Sequence, residues 1–192
     1  MSNYILGSHN SWSYLPPKKW WMKPFAFMAK CQRIDIKHQY ELGVRCFDLR
    51  VKFEQGIPTI AHGCMIYRYN MTQLYEDLNY LNSCGDCVVR ILHEVRNGKE
   101  YTDYNVTCFK LFCTNLCSIY PNIKFWCGRN LYNWKVDCDF YYKPTCEEKY
   151  SSVQPPKWID DWWPFIYAKL HNKKIKETGT TLDILLIDFV DV

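Results

Sequence analysis

Short apolar segments that alternate with helix-like segments constrain the fold of this chain more than any other feature. Strands are predicted at residues 3–6, 44–51, 57–61, 87–92, 123–127 and 182–190. Helices are predicted between them at residues 25–42, 72–81, 104–120 and 157–174, with Thr72 as the N-cap of the second. Strands that alternate with helices favour a parallel sheet or a barrel. We therefore predict one α/β domain that spans residues 1–192.

Side chains capable of acid–base chemistry follow several of these strands. His9 comes just after the first strand, Asp48 and Arg50 lie late in the second, and His62 follows the third. Asp48 and Arg50 are two residues apart on one strand, so both point to the same face. Such a set can cleave a phosphodiester. One histidine removes a proton from a hydroxyl, the other returns a proton to the leaving oxygen, and the arginine neutralises phosphate charge.

Four segments, taken in order, resemble the catalytic X region of phosphatidylinositol-specific phospholipase C. They are Gly-Ser-His-Asn-Ser at 7–11, Gly-Val-Arg-Cys-Phe-Asp-Leu-Arg at 43–50, Ala-His-Gly at 61–63 and Val-Val-Arg-Ile-Leu-His-Glu at 88–94. The closing Leu-Leu-Ile-Asp-Phe-Val at 185–190 resembles the last barrel strand of that family. The resemblance implies a distorted β/α barrel with its active site at the carboxyl ends of the strands. Because 192 residues are few for eight strands, we expect a distorted or trimmed TIM-like barrel.

The resemblance also implies a reaction and a role for each matching residue. The inositol 2-hydroxyl of a phosphatidylinositol-type lipid would attack the phosphorus, releasing diacylglycerol and a cyclic inositol phosphate. His9 matches the general base and His62 the general acid. Arg50 would hold the phosphate, and Asp48 would bind or orient the nucleophilic hydroxyl. Asp188 matches the partner of His9, although a helix-capping or surface carboxylate is an equal alternative for it.

The need for a metal depends on Arg50. Calcium-dependent members of the family carry an acid at that position, together with an Asn after the first histidine, and so supply the oxygen ligands of a hard cation. Bacterial members carry an arginine there. The resemblance therefore implies a metal-independent enzyme without a cofactor, with calcium as the less favoured alternative. Asn10 departs from the bacterial pattern and leaves the partner of His62 open. Asn10 and Glu94, at the pocket floor, are the candidate substrate-binding residues.

Two other functions stay open at this point. A metal-dependent glycerophosphodiesterase or a sphingomyelinase D-like enzyme on the same barrel is the first, but those enzymes need a Glu-x-Asp pair where this chain has Asp48-x-Arg50. A catalytically inactive module that binds lipid headgroups is the second. The presence of both His9 and His62 argues against that module.

Charge and hydropathy limit the partners of the chain. The formal net charge is only +4 and the basic residues are scattered, so no nucleic-acid partner is expected. No apolar stretch approaches the length of a transmembrane segment. The first residues lack a basic leader followed by an apolar run, which predicts no signal peptide and a cytoplasmic or peripheral membrane location. Eleven cysteines, an odd number, predict free thiols. The sequence leaves the oligomeric state open.

An aromatic and basic stretch after the His9 loop predicts contact with a membrane surface that carries the phospholipid substrate. Trp20 and Trp21 lie among Lys18, Lys19 and Lys23, a composition typical of interfacial anchors. The alternative is that these tryptophans cover the bottom of the barrel or pack in its core. Residues 162 and 163, also tryptophans, are predicted to lie in the core because they fall within an apolar helix.

Overall fold

The structure is a computed structural model that describes residues 4–94, 102–129, 163–178 and 184–192. Its strands are β1 (Ile5–Ser8), β2 (Cys46–Glu54), β3 (Ile57–His62), β4 (Met65–Ile66), β5 (Val88–His93), β6 (Lys124–Arg129) and β7 (Ile184–Ile187). Its α-helices are α1 (Ala26–Ala29), α2 (Ile36–Glu41), α3 (Met71–Cys84), α4 (Asp103–Ile119) and α5 (Pro164–Thr178). Two 3-10 helices cover Ser11–Tyr14 and Trp20–Phe25.

The central sheet is parallel and runs in the order β7, β1, β2, β5, β6. Along its second half β2 leaves β1 and pairs with β3, which is antiparallel, and β4 extends that hairpin. The sheet curls into a half-barrel, which confirms the predicted trimmed TIM-like fold. The prediction of parallel strands at the site fails for β3, because the short turn at residues 55–56 allows only an antiparallel return.

The two faces of β2 show why the sheet has a polar interior. Phe47, Leu49 and Val51 belong to the main core, which also contains the buried face of α3. Cys46, Asp48 and Arg50 alternate with them and face the inside of the curled sheet. At the bottom of that inner face, Cys46 packs with three other apolar residues, Val88, Ile184 and Leu186. The polar residues therefore sit above an apolar floor, at the carboxyl end of the strands.

Gly7 permits the close spacing of the strands beside the site. A Cβ atom at this position would collide with the side chain of Leu186 on β7 and would press on Cys46 of β2, 3.1 Å away. A larger residue would push β1 away from both neighbours. The loop that begins at His9 is therefore fixed at its root by the packing of three strands.

The predicted helix over residues 25–42 is wrong. The chain forms α1, continues without helix from Lys30 to Asp35, and begins α2 at Ile36. Ser13 supplies the reason, because its hydroxyl accepts the backbone N–H groups of Cys31 and Gln32 at 2.9 and 2.8 Å. These tertiary hydrogen bonds replace the bonds of a continuous helix.

Three other predicted boundaries also differ. Asn70, rather than Thr72, caps α3, and its side chain accepts the Thr72 N–H at 3.0 Å. β7 ends at Ile187 because Phe189 adopts a positive φ of 47°, which turns the chain. The helix predicted at 157–174 is observed at Pro164–Thr178, and residues 157–162 lie outside the described part of the chain.

The described side chains agree with the other sequence expectations that they test. Every cysteine whose side chain is described is a free thiol. Within the described ranges, no helix combines the length and the apolar character that crossing a membrane requires.

Candidate active site

The residues predicted for the site meet at the carboxyl end of the curled sheet. They come from five segments of the chain, namely His9 after β1, Asp48 and Arg50 on β2, His62 at the end of β3, Glu94 after β5 and Asp188 after β7. Chain order alone does not bring them together, because the closest pair, His9 and Asp188, is separated by 179 positions. Parallel pairing of β1 with β7 places these two residues side by side.

His9 is held at both ring nitrogens. Its Nε2 lies 2.7 Å from a terminal nitrogen of Arg50. Because a guanidinium only donates, Nε2 accepts, and the ring is neutral with its proton on Nδ1. That proton is donated to Oδ1 of Asp188 at 2.6 Å. The structure thus makes Asp188 the partner of His9, and both side chains keep about a fifth of their surface in solvent, 17% and 22%.

Arg50 connects the base to the buried carboxylates. Its Nε donates to Asp48 at 2.9 Å and its Nη1 donates to Glu94 at 3.3 Å, while the side chain is only 2% exposed. Burial disfavours the charged guanidinium, but the negative charges of Asp48 and Glu94 outweigh it and raise the pKa of Arg50. The guanidinium is therefore a permanent cation inside the pocket.

Asp48 is fully buried and stays ionised for a matching reason. Burial would raise its pKa, but the charges of Arg50 and Arg90 outweigh burial and lower it. Arg90 Nε lies 3.5 Å from Asp48 Oδ1. The sequence analysis assigned no site role to Arg90. The available signal was its place on β5, where it pairs with Asp48 and lies four residues before Glu94, so that the two-residue period of a strand puts it on the inner face.

His62 differs from His9 because, among the described residues, no carboxylate accepts a hydrogen bond from its ring. Its Nδ1 donates to the backbone carbonyl of Ala29 at 3.0 Å and lies 3.7 Å from Sγ of Cys31. These contacts supply the partners that the sequence left open. Burial, followed by the charge of Arg50, lowers the pKa of His62 to about 4. The two histidine rings are nearly perpendicular, with centroids 5.5 Å apart.

Glu94 also fixes the turn that carries His62. Its Oε1 accepts the backbone N–H of Gly63 at 2.8 Å, and Gly63 has a φ of +56°, which glycine adopts without strain. Asn10 likewise acts through its backbone, since its N–H donates to Asp48 at 3.0 Å. Its side chain is fully buried and finds no hydrogen-bond partner among the described residues.

Gln32 was missed by the sequence analysis because it lies in the segment predicted as helix. Its side-chain nitrogen donates to the carbonyls of His9 and Ile187, at 3.2 and 2.9 Å, and its oxygen accepts the N–H of Val190 at 3.1 Å. Gln32 thus fastens the backbone on both sides of the His9–Asp188 pair. Asp35, the N-cap of α2, was the sequence signal that a new helix begins after Gln32.

The other histidines do not enter the cluster. His93 faces away from it and stacks on Phe109, with ring centroids 5.2 Å apart. His38 is exposed and contacts Asp35 on α2, and His171 is exposed on α5.

Residues 18–30, here called the rim segment, expose large apolar side chains. Trp20 is 76% exposed and Trp21 is 52% exposed. Phe25 and Phe27 are exposed as well, and Trp163 stacks on Phe27 with ring centroids 5.2 Å apart. The prediction that Trp163 lies in the core is wrong, since it is 51% exposed beside this segment. Residue 162 lies outside the described residues.

Comparison with known proteins gives a clear result only at the level of structure. No protein-family model matches the chain, and no curated protein matches its sequence. The fold is similar to that of a phosphatidylinositol-specific phospholipase C from Listeria monocytogenes, with a TM-score of 0.63 and 16% identity over 96% of this chain and 87% of that one. It is also similar to a double mutant of the Staphylococcus aureus enzyme, with a TM-score of 0.51 and 20% identity over 67% of this chain and 47% of that one. This chain therefore has the fold of the bacterial phosphatidylinositol-specific phospholipases C.

Proposed function

We propose that this protein is a phosphodiesterase that cleaves phosphatidylinositol-type lipids into diacylglycerol and a cyclic inositol phosphate. One observation carries the proposal. The pair formed by His9 and Asp188 lies in one pocket with the buried Arg50 and the second histidine, His62, whose ring centroid is 5.5 Å from that of His9. This is the arrangement that an in-line phosphoryl transfer with one base and one acid requires.

The first half of the reaction uses His9 as the base. Asp188 holds the proton on Nδ1, so the lone pair of Nε2 is available to the substrate once Arg50 turns from that nitrogen to a phosphate oxygen. Nε2 then takes the proton of the inositol 2-hydroxyl while the hydroxyl oxygen bonds to phosphorus. Asp188 stabilises the imidazolium that forms.

The second half uses His62 as the acid. As the bond between phosphorus and the glycerol oxygen breaks, His62 gives a proton to that oxygen and diacylglycerol leaves. In the free protein its low pKa, about 4, makes His62 neutral at pH 7. The negative charge of a bound phosphodiester favours the protonated ring, so substrate binding itself promotes the protonation of His62.

Arg50 supplies the positive charge for the phosphate, which is why we propose that catalysis needs no metal. Its guanidinium already pairs with Asp48 and Glu94, the two carboxylates that a calcium ion at this position would need as oxygen ligands. We further propose that Asp48 orients Arg50 and the 2-hydroxyl. Glu94 and Asn10 would act on the substrate through the groups that they hold.

The substrate of such an enzyme lies in a bilayer, and the rim segment is suited to reach it. Trp20 and Trp21 are exposed beside Lys18, Lys19 and Lys23, which combines amphipathic rings with charges that attract anionic lipid. We propose that the protein works at a membrane surface with the rim segment turned towards the lipid.

Turnover of a lipid panel tests the proposal. Vesicles of phosphatidylinositol, phosphatidylcholine or sphingomyelin, and soluble glycerophosphoinositol, would be incubated with the protein, and the products followed by phosphorus NMR. We expect a cyclic inositol phosphate from phosphatidylinositol alone, at a rate that His171→Ala preserves and His9→Ala abolishes. Attack on the other lipids would favour a glycerophosphodiesterase or sphingomyelinase D-like enzyme. Binding of lipid without any product would identify a headgroup-binding module.

A further inference from the structure

The imidazole rings of the proposed base and the proposed acid lie close to the thiol of a buried cysteine. Sγ of Cys31 and one ring nitrogen each from His9 and His62 all lie within 4.8 Å of one another. Sulfur and nitrogen donors in this combination suit zinc, which takes ligands at about 2.0–2.3 Å in a tetrahedron. We infer that this cluster is a Zn²⁺ site, distinct from any calcium site, and that the bound ion inhibits the proposed reaction.

The charges around the cluster are compatible with a bound cation despite the nearby arginines. Arg50 pairs with Asp48 at 2.9 Å and with Glu94 at 3.3 Å, and Arg90 lies 3.5 Å from Asp48. Two arginines and two carboxylates thus neutralise one another. The repulsion that Arg50 would exert on a second cation is largely offset by its own partners.

Asp188 and Cys31 then match the two charges of the ion. Asp188 accepts a hydrogen bond from His9, which is neutral in the tautomer described above, so the negative charge of this carboxylate is not balanced by the ring. The loss of the Cys31 proton adds a second negative charge. One carboxylate and one thiolate balance one Zn²⁺, so binding brings the group to neutrality.

The surroundings of the cluster resemble the outer shell of a metal site. Asp188 accepts the Nδ1 proton of His9 at 2.6 Å, as carboxylates do for metal-binding histidines. The buried amide of Asn10 faces the Cys31 thiol and has no hydrogen-bond partner among the described residues. It is therefore available to the sulfur once the thiol proton has left.

Inhibition follows from competition for His9. A metal on Nε2 takes the place of the Arg50 nitrogen that now lies 2.7 Å from it, and the same ion engages His62. The base loses its lone pair and the acid cannot carry a proton, so one ion blocks both halves of the reaction.

Direct metal binding tests the inference without reference to turnover. The reduced, metal-free full chain would be titrated with Co²⁺, and the near-ultraviolet absorption of a thiolate–cobalt bond recorded before Zn²⁺ is added to displace it. We expect Cys31→Ser to lose this absorption and to bind Zn²⁺ at least about tenfold more weakly, since changes beyond the ligands already have effects of that size. Cys64→Ser, which alters the exposed thiol next to the site, should retain both properties.

A second ligand variant keeps the test decisive. If Cys31→Ser does not fold, as judged by its thermal melt, His62→Gln should keep the thiolate absorption but lose the intense visible bands of tetrahedral Co²⁺. The inference is overturned if the wild-type chain binds neither ion. It is also overturned if the absorption survives in Cys31→Ser, or disappears in Cys64→Ser.

Discussion

The active-site pocket and the rim segment are neighbours, but they depart in opposite ways from the usual pattern in which charged side chains are exposed and apolar side chains are buried. The pocket buries charge, with Asp48 and Arg50 at most 2% exposed. The rim segment exposes apolar rings, with Trp20 at 76%. They meet at Ala29, whose carbonyl accepts the ring proton of His62.

The difference between the two regions lies in how each arrangement is stabilised. Buried charges are tolerated when they are paired and hydrogen-bonded, and every carboxylate around Arg50 has such a partner. The exposed apolar rings have no comparable compensation among the described residues, and such rings mark a surface that contacts something else. The charges around Arg50 are therefore balanced by described residues of the pocket, whereas the rim segment is expected to act only when a membrane is present.

The largest effect is expected when the acid–base groups of the pocket are removed. His9→Ala and His62→Ala should each lower turnover by at least about a hundredfold, the usual contribution of a general base or acid. The loss should be equal on phosphatidylinositol vesicles and on a soluble, monomeric short-chain phosphatidylinositol, because the pocket acts on both. Near wild-type rates in both folded variants would exclude the proposed mechanism.

Arg50→Ala should produce a loss of similar size, because it removes the charge that faces the phosphate and leaves Asp48 and Glu94 without their main partner. Excess chelator should change the rate of the wild-type protein by less than about twofold, whereas a metal-dependent phosphodiesterase would lose most of its activity. The measurement compares the two treatments on the same substrate. Activity that chelator removes and calcium restores would assign the protein to the metal-dependent branch.

A smaller and selective effect is expected in the rim segment. Trp20→Ala combined with Trp21→Ala should lower vesicle binding and vesicle turnover about tenfold, because a large apolar side chain contributes roughly 1.5–3 kcal/mol when fully buried and a membrane interface buries it only in part. The rate on a soluble monomeric substrate should not change. An equal loss on both substrates would show that these residues support the fold.

The smallest effect concerns pH. Since burial lowers the pKa of His62 to about 4 in the free protein, and a bound phosphodiester favours the protonated ring, the alkaline limb of kcat should lie about one pH unit or more above that of kcat/KM. Glu94→Gln, which removes a charge that raises the pKa of His62, should move the kcat/KM limb to still lower pH. Coincident limbs would contradict the role of His62 as the acid.

The sequence predicted the residues that line the pocket better than the contacts that hold them in place, because only the former follow from local patterns. The shared face of Asp48 and Arg50 follows from the two-residue period of a strand, which is local information. The pairing of His9 with Asp188 follows from contact between β1 and β7, and only the family resemblance anticipated it. Gln32 was missed because its non-helical backbone is fixed by a hydrogen bond to Ser13, 19 positions away, and such a tertiary contact leaves no local pattern in the sequence.

For the exposed rim segment, the sequence composition was informative but left two interpretations open. Its composition predicted either a membrane contact or a buried packing role, because an aromatic ring suits both environments. Sequence periodicity could not separate them, since two short helices, the 3-10 turn at Trp20–Phe25 and α1, carry the segment. Burial is a property of the folded surface, and for Trp20 and Trp21 only the tertiary structure decided it.

The parallel pairing of β1 with β7 also determines when the pocket comes into existence. His9 leaves the ribosome early, but Asp188 and its strand, Ile184–Ile187, are made 175 or more residues later. Until that strand docks beside β1, His9 has no carboxylate partner and Gln32 has no carbonyl of Ile187 to bind. The proposed base is thus assembled only after residues 184–188 have been made, and a chain that ends before them lacks the His9–Asp188 pair.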